Sequence, residues 1–260
     1  MACLNDTTEV YYAINAFRRA LAALRADVAT DAEDQKLLTS LIELTSPNEG
    51  VAETAPSKFF VACFAKREDD LSQWRAYSGE TSGENGYAIA FRARGLFVGP
   101  NSLVAKVNYD AVTHEVLAKR VAKQTLTFFR EGLKLNPARS LENWAKQFFE
   151  AWDEQIYRLA PLVKNDGFEV EDEFRIVHEL QPIEVHQVRF RQKRSLLARY
   201  IPLRFPMWMG TRTTMLPIVS IMIGPGRHNE VSRESVRMLL SQMGYANLPV
   251  SISKRPLQAP

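Results

Sequence analysis

Helix-like and strand-like segments follow one another along this chain without regular alternation, and their order limits the fold more than any single motif. Apolar residues recur every three or four positions over residues 8–26, 32–44, 112–131 and 141–162, which predicts an amphipathic helix in each range. Roughly eight strand-like runs of β-branched and aromatic residues lie between and after these helices. Regular alternation would favour a doubly wound parallel sheet, whereas this order favours an α+β fold.

The predicted architecture is a mixed, mainly antiparallel sheet with amphipathic helices packed on it. Residues 1–45 form a helical N-terminal part, which is followed by the strand-like runs FFVACFA, GYAIAF and SLVAKVNY. Near the C-terminus a strand, a helix and another strand are predicted from IVSIMIG, VSRESVRMLLSQMGY and LPVSIS. With 260 residues, 46% of them apolar, one large core is feasible, and we expect a single domain over residues 1–260.

Charge and cysteine content argue against several classes of protein. The 33 basic and 30 acidic residues give a net charge of +3, which is too balanced to indicate a nucleic-acid partner by itself. We expect no transmembrane helix and no membrane partner, because no run of about 18 apolar residues occurs. The first ten residues lack the pattern of a secretory signal. The only cysteines, Cys3 and Cys63, make no disulfide framework, so a cytoplasmic location is expected.

Alternating acidic residues mark the stretch GFEVEDEFRIVHEL, residues 167–180. Glu169, Glu171, Glu173 and Arg175 occupy every second position, so in a strand their side chains leave the same face. Adjacent carboxylates on one face of a strand would lie roughly 7 Å apart and repel each other. The pattern therefore predicts either a working site or a set of ion pairs.

The next strand-like run, residues 183–191, predicts a hairpin around Gln181-Pro182, with its turn centred near Gln181. Pairing that keeps the apolar faces together brings Glu173 opposite Arg189, or opposite Arg191 after a slip of two residues. Two interpretations stay open. A ladder of ion pairs needs an exposed and paired Glu173, whereas a site that accepts substrate hydroxyls needs Glu173 at the floor of a cleft.

A short helix is predicted over REDDLSQWRAY, opened by Asp69 or Asp70 between two buried strands. Its candidate site residues are Gln73, Trp74, Arg75 and Tyr77. The helix either docks Trp74 into the core or forms a cleft wall, with an aromatic platform and a guanidinium for a nucleotide or ribose phosphate. We expect Trp74 to be largely buried and Arg75 to line a pocket shared with the Glu171/Glu173 strand.

The remaining candidates carry weaker signals. Arg227, in GPGRHNE, lies before a predicted helix whose N-terminus could hold an anion, although an ordinary strand-to-helix connection is favoured. The histidines and cysteines show no metal-ligand spacing, so no metal site is predicted. The basic run RFRQKRSLLAR, residues 189–199, is interpreted as a strand whose charged face contacts solvent. Sequence-specific DNA binding is therefore not expected. A weak nucleic-acid contact stays open for Arg189, Arg191, Lys193 and Arg194.

Short motifs are spread over most of the chain: Cys63-Phe64, Asp70-Leu71-Ser72-Gln73-Trp74-Arg75, Tyr77, Gly86-Tyr87-Ala88-Ile89-Ala90-Phe91, Lys164, Phe168, Glu171, Glu173, Arg175, Ile223-Gly224-Pro225, Ser253 and Pro256. Together they resemble the bacterial domain-of-unknown-function family 2971 (DUF2971). Members of that family often carry an aromatic-His-Tyr-Thr-like strand ahead of an Asn-Asp pair. This sequence begins close to the matching Asn5-Asp6, so that first strand is expected to be absent.

The motif order is also similar to that of ADP-ribosyltransferases, in which a His or Arg strand, a serine-containing strand and a Glu-x-Glu strand follow one another. This resemblance implies that FVACFA is the middle strand, with Ala65 at the serine position. It implies that Glu173 is the catalytic glutamate, with Glu171 two positions before it, and that NAD is the substrate. The candidate substrate-binding residues are Gln73, Trp74, Arg75 and Tyr77 of the short helix, together with Arg175.

The leading hypothesis is an uncharacterised cytoplasmic bacterial protein with an ADP-ribosyltransferase-like site that uses NAD. The alternative is a non-catalytic interaction or regulatory module, for instance in phage defence, in which the glutamates and arginines are structural. The two differ in what they require of Glu173.

Overall fold

A computed structural model describes residues 8–27, 32–44, 58–78, 85–92, 101–137, 143, 144, 148, 158–193, 196–202 and 215–255. The chain divides into two compact units. The first comprises Met1–Cys63, Asn101–Glu169 and Phe174–Pro202, and the second comprises Phe64–Pro100, Val170–Glu173 and Leu203–Pro260. Whether residues 1–260 act as a single domain stays a prediction.

The elements with defined bounds follow the irregular order expected from the sequence. The α-helices are α1 (Thr8–Asp27), α2 (Ala32–Leu44), α3 (Leu71–Tyr77), α4 (Ala111–Leu135) and α5 (Asn229–Gln242). The strands are β1 (Phe59–Ala65), β2 (Tyr87–Phe91), β3 (Ser102–Lys106), β4 (Glu173–Glu179), β5 (Arg189–Lys193), β6 (Leu196–Tyr200), β7 (Ile218–Ile223) and β8 (Val250–Ile252). Small sheets, mainly antiparallel, together with these helices make an α+β fold, as predicted.

Helices α1, α2 and α4 form an apolar core of the first unit. The buried residues of each helix lie on one apolar face, as the predicted periodicity requires. Buried side chains from the three helices meet in one cluster that includes Leu21, Leu38 and Phe129. An ion pair links α2 to α4, because Arg130 Nε donates to the buried Asp34 carboxylate at 2.9 Å. Most of the helix predicted over residues 141–162 lies outside the described residues, and its end, Ala160–Leu162, is a 3-10 helix.

The sheet of the first unit has the strand order β1-β4-β3, so β4 is its central strand. Strands β3 and β4 are antiparallel, with Leu103 opposite Val177 and Ser102 opposite His178. Strands β5 and β6 form a separate antiparallel ribbon. The predicted hairpin between β4 and β5 is therefore wrong, and neither Arg189 nor Arg191 pairs with Glu173 in the ladder.

Local hydrogen bonding explains why the hairpin does not form. Residues Pro182–Gln187 form a 3-10 helix with a capping box between Gln181 and Glu184, so the chain leaves β4 as a helical turn. The first half of the acidic stretch is also a 3-10 helix, Asp166–Glu171, in which the Gly167 N–H donates to the Asn165 and Asp166 side chains. Such side-chain bonds compete with strand pairing. Glu169 and Glu171 therefore do not extend the strand face of Glu173.

The second unit contains the sheet β2-β7-β8. Strand β2 is antiparallel to β7, while β7 and β8 are parallel and are connected through α5, which confirms the predicted C-terminal strand-helix-strand unit. Ile221, Ile223, Leu240 and Val250 form the apolar core between this helix and the strands. Within the described ranges, no helix has both the length and the apolar character needed to cross a membrane.

Candidate functional site

Helix α3 begins at a carboxylate, as the sequence predicted. Asp70 is the N-cap, and its side chain accepts from the Ser72 backbone N–H at 2.8 Å. This settles which of the two neighbouring aspartates opens the helix. Asp69 is left to bind other groups, a role that the sequence analysis did not identify.

Asp69 holds Trp74 in place within the second unit. The indole Nε1 donates to Asp69 Oδ1 at 2.8 Å, and the Ser253 hydroxyl donates to the same oxygen at 2.6 Å. The Lys254 backbone N–H donates to the other carboxylate oxygen at 3.2 Å. Burial raises the Asp69 pKa, but these three hydrogen bonds and the nearby Arg255 charge outweigh it and hold the pKa below its usual value. Asp69 is thus kept ionised as a multiple acceptor.

Two glycines lie against the Trp74 ring. A Cβ on Gly224 would meet the ring carbon Cε3 at 2.8 Å, and a Cβ on Gly86 would meet it at 3.3 Å. The Gly224 N–H donates to the Gly86 carbonyl at 2.8 Å, so backbone approaches the ring at both points. The buried Trp74, 8% exposed, therefore occupies a slot that only glycine leaves open.

We call Asp69, Trp74, Gly86, Gly224 and Ser253 the Trp74 clasp. It joins α3 to the start of β2, to the end of β7 and to the segment after β8. The motif residues Trp74, Gly86, Gly224 and Ser253, which are far apart in the sequence, thus meet at one point. Because the Asp69 carboxylate accepts hydrogen bonds from Trp74, Ser253 and Lys254 of the protein itself, the clasp anchors α3 and is a structural element.

The other candidate residues of α3 differ in exposure. Gln73 is half-buried, whereas Arg75 is exposed and Tyr77 is 55% exposed. Trp74 is buried, which confirms that part of the prediction. The pocket that Arg75 was expected to share with the Glu171/Glu173 strand stays a prediction.

The start of β4 carries two buried charged side chains. Glu173 is 5% exposed and Arg175, two positions along the strand on the same face, is 1% exposed. An Arg175 guanidinium nitrogen donates to the Pro161 carbonyl at 2.7 Å. On the other face Phe174 is 38% exposed while Ile176 is 1% exposed, so side chains from both faces of the strand are buried. Strand β4 is the central strand of its sheet, and the charged side chains of Glu173 and Arg175 are buried there.

Glu173 follows a residue in an unusual backbone conformation. Asp172 has φ 42°, in the left-handed region, and its carbonyl accepts from the Lys66 N–H at 3.2 Å just after β1 ends. The Lys66 ammonium also lies 3.7 Å from the Asp172 carboxylate. This turn separates the 3-10 helix that ends at Glu171 from the strand that begins at Glu173. The ladder of exposed ion pairs is therefore wrong for Glu173, whose side chain is buried.

The remaining predicted sites lie on exposed surface. Arg189 and Arg191 are exposed on β5, and the Arg191 guanidinium lies 5.7 Å from the Tyr200 ring centre. The side chains of Lys193 and Arg194 lie outside what the structure describes, so a nucleic-acid contact there stays a prediction. Arg227 is exposed before α5. Within the described residues, no three His, Cys, Asp or Glu side chains are grouped as ligands of a metal ion.

Residues 73–176 match the model of a family described as "Protein of unknown function (DUF2971)". The chain is therefore similar to that family over the stretch from α3 to β4, which includes Trp74, Glu173 and Arg175. No curated protein and no solved structure matches the chain. The matched range ends before Gly224 and Ser253, although both belong to the Trp74 clasp.

Proposed function

We propose that the chain carries an ADP-ribosyltransferase-like site that uses NAD, with Glu173 as its catalytic glutamate. The observation that carries the proposal is the burial of Glu173 at the first position of β4. A buried carboxylate is costly to keep, and such groups are enriched at working sites. The proposal is further supported by the pairing of β1 with β4, the strands to which the resemblance assigns the serine position and the catalytic glutamate.

The proposed reaction breaks the bond between the nicotinamide nitrogen and the ribose C1′ atom. The bonding electron pair leaves with nicotinamide, and positive charge develops on the ribose. Glu173 accepts a hydrogen bond from the ribose 2′-hydroxyl and stabilises that charge as a fixed anion. An acceptor, water in the simplest case, then forms a bond to C1′ and releases its proton.

The other residues have supporting roles in this proposal. Glu171, half-buried at the end of the 3-10 helix, orients the ribose or the acceptor. Gln73, Arg75 and Tyr77 provide polar and aromatic contacts from α3, which the Trp74 side chain anchors. For Arg175, contact with substrate would compete with the hydrogen bond that it donates to Pro161. Ala65, at the end of β1, supplies no hydroxyl to hold the glutamate, so slow turnover is expected.

Nicotinamide release from NAD tests the proposal. We expect slow release by the unaltered chain and a loss of about 100-fold or more in Glu173→Gln, because the isosteric amide removes the anion that the developing charge needs. The matched control is Glu179→Gln on the same strand, whose carboxylate is instead paired with Lys58 at 3.3 Å. Release that is unchanged in Glu173→Gln, or equally reduced in both variants, would contradict the assignment.

The alternative, a non-catalytic interaction module, is supported by a different observation. On one face of the β5–β6 ribbon, Phe190 and Leu197 are 58% and 71% exposed, and exposed Arg199 lies opposite Phe190. Exposed apolar side chains beside cations are common at interfaces. Absence of nicotinamide release from the unaltered chain would favour this alternative.

A further inference from the structure

A serine, a histidine and a glutamate form one hydrogen-bonded chain in the first unit, apart from the residues proposed to use NAD. Ser102 begins β3 and lies opposite His178 of β4 in the antiparallel register. The Ser102 Oγ atom is 2.8 Å from His178 Nδ1. On the other side of the ring, His178 Nε2 is 3.1 Å from Glu184 Oε2. The hydrogen bonds thus link a nucleophile to a base and the base to a group that orients it.

The carboxylate of Glu184 is itself fixed. The same Oε2 atom accepts from the Gln181 backbone N–H at 2.9 Å, as part of the capping box that starts the 3-10 helix Pro182–Gln187. A carboxylate accepts hydrogen bonds, so the proton of a neutral His178 is held on Nε2. The Nδ1 lone pair then faces Ser102, whose hydroxyl donates to it. The chain of contacts selects the tautomer in which His178 can take the serine proton.

Exposure of these side chains fits a site that is shielded but open to small molecules. The His178 side chain is 12% exposed and that of Glu184 is 23% exposed, while Ser102 is half-buried. The neighbouring carboxylate of Glu179 points to other partners, Lys58 at 3.3 Å and Arg158 at 3.9 Å. Glu184 is therefore the carboxylate that orients His178.

We propose that Ser102 is the nucleophile of an acyl-transfer site, with His178 as general base and Glu184 as the positioning residue, acting on small esters. Ser102 Oγ forms a bond to the ester carbonyl carbon while its proton passes to His178 Nδ1. The bond from carbon to the leaving oxygen then breaks, and His178 returns the proton to that oxygen. Water, activated by the same histidine, then bonds to the acyl carbon, the bond from that carbon to Ser102 Oγ breaks to release the carboxylic acid, and His178 returns the proton to Oγ. Atoms and electrons balance with ester and water alone.

Covalent labelling with a fluorophosphonate probe tests this site in the full chain. The serine oxygen displaces fluoride from phosphorus, and peptide mass spectrometry locates the adduct. We expect the adduct on Ser102, with its rate lowered about 100-fold or more in His178→Gln, which lacks the base. The control is Ser220→Ala, because Ser220 is a strand serine that donates directly to Glu68 at 2.9 Å without a histidine between them. Labelling of Ser102 in Ser220→Ala should match that of the unaltered chain.

Glu184→Gln separates positioning from packing, because its amide oxygen can still accept from Gln181 and only the negative charge is lost. We expect Ser102 labelling to fall at least about 10-fold while the thermal unfolding midpoint stays within a few degrees. A purely structural Glu184 would leave the labelling rate unchanged. Absence of the Ser102 adduct in the unaltered chain, or an equal rate in His178→Gln, would overturn the proposal. The labelling reaction involves no NAD, so its outcome does not depend on whether the chain uses NAD.

Discussion

Replacing Trp74 by alanine is expected to lower the free energy of unfolding by about 3–5 kcal/mol, as for other buried aromatic side chains. The indole is 8% exposed, and its removal leaves a cavity lined by glycine backbone that has no side chain with which to refill it. The Asp69 carboxylate also loses the Nε1 donor at 2.8 Å. Urea denaturation followed by circular dichroism measures the loss.

Tyr77→Ala is the matched control for this substitution. It removes an aromatic side chain from the same helix, but one that is 55% exposed, so a change of about 1 kcal/mol or less is expected. Equal losses in the two variants would mean that Trp74 does not anchor the helix. A loss confined to Trp74→Ala supports the clasp as the element that holds α3.

Replacing Gly224 by alanine is expected to cost about 1–3 kcal/mol through overpacking. The new Cβ would lie 2.8 Å from Trp74 Cε3 and 3.2 Å from the Gly86 carbonyl oxygen. The backbone oxygen is fixed by its hydrogen bond, and the ring is fixed by Asp69, so neither can move away without breaking a contact. The thermal unfolding midpoint measures the effect.

Gly167→Ala is the control for the glycine substitution. Gly167 is exposed, and the nearest atom to a Cβ there is the end of the Asn165 side chain at 3.1 Å, which can rotate away. We expect a shift of the midpoint in Gly224→Ala that is clearly larger than in Gly167→Ala. A Gly224→Ala midpoint equal to that of the unaltered chain would show that the slot around Trp74 is not tight.

Elements with strong local signals were predictable from the sequence. The apolar periodicity of α1, α2 and α4 gives their positions to within a few residues, because each buries one face in a common core. The N-cap of α3 at Asp70 and the strand-helix-strand unit at the C-terminus were also predictable, since caps and apolar runs are local features.

The Trp74 clasp was less predictable because its residues are far apart in the sequence. Ser253 and Asp69 are 184 positions apart, and no local pattern indicates that they bind each other. The alternating glutamates predicted a long strand, but the strand begins only at Glu173, after side-chain bonds to the Gly167 N–H and the left-handed Asp172. Periodicity alone also did not indicate that the charged side chains of Glu173 and Arg175 are buried while Phe174 is partly exposed.

An experimental structure of the chain with a non-hydrolysable NAD analogue tests the central claim, that Glu173 is a catalytic carboxylate, most directly. The account predicts that the 2′-hydroxyl of the nicotinamide ribose lies within hydrogen-bond distance of the Glu173 carboxylate, about 2.6–3.2 Å. Glu173→Gln should bind the analogue in the same place. An analogue bound with its ribose away from Glu173, or no bound analogue at saturating concentration, would contradict the account.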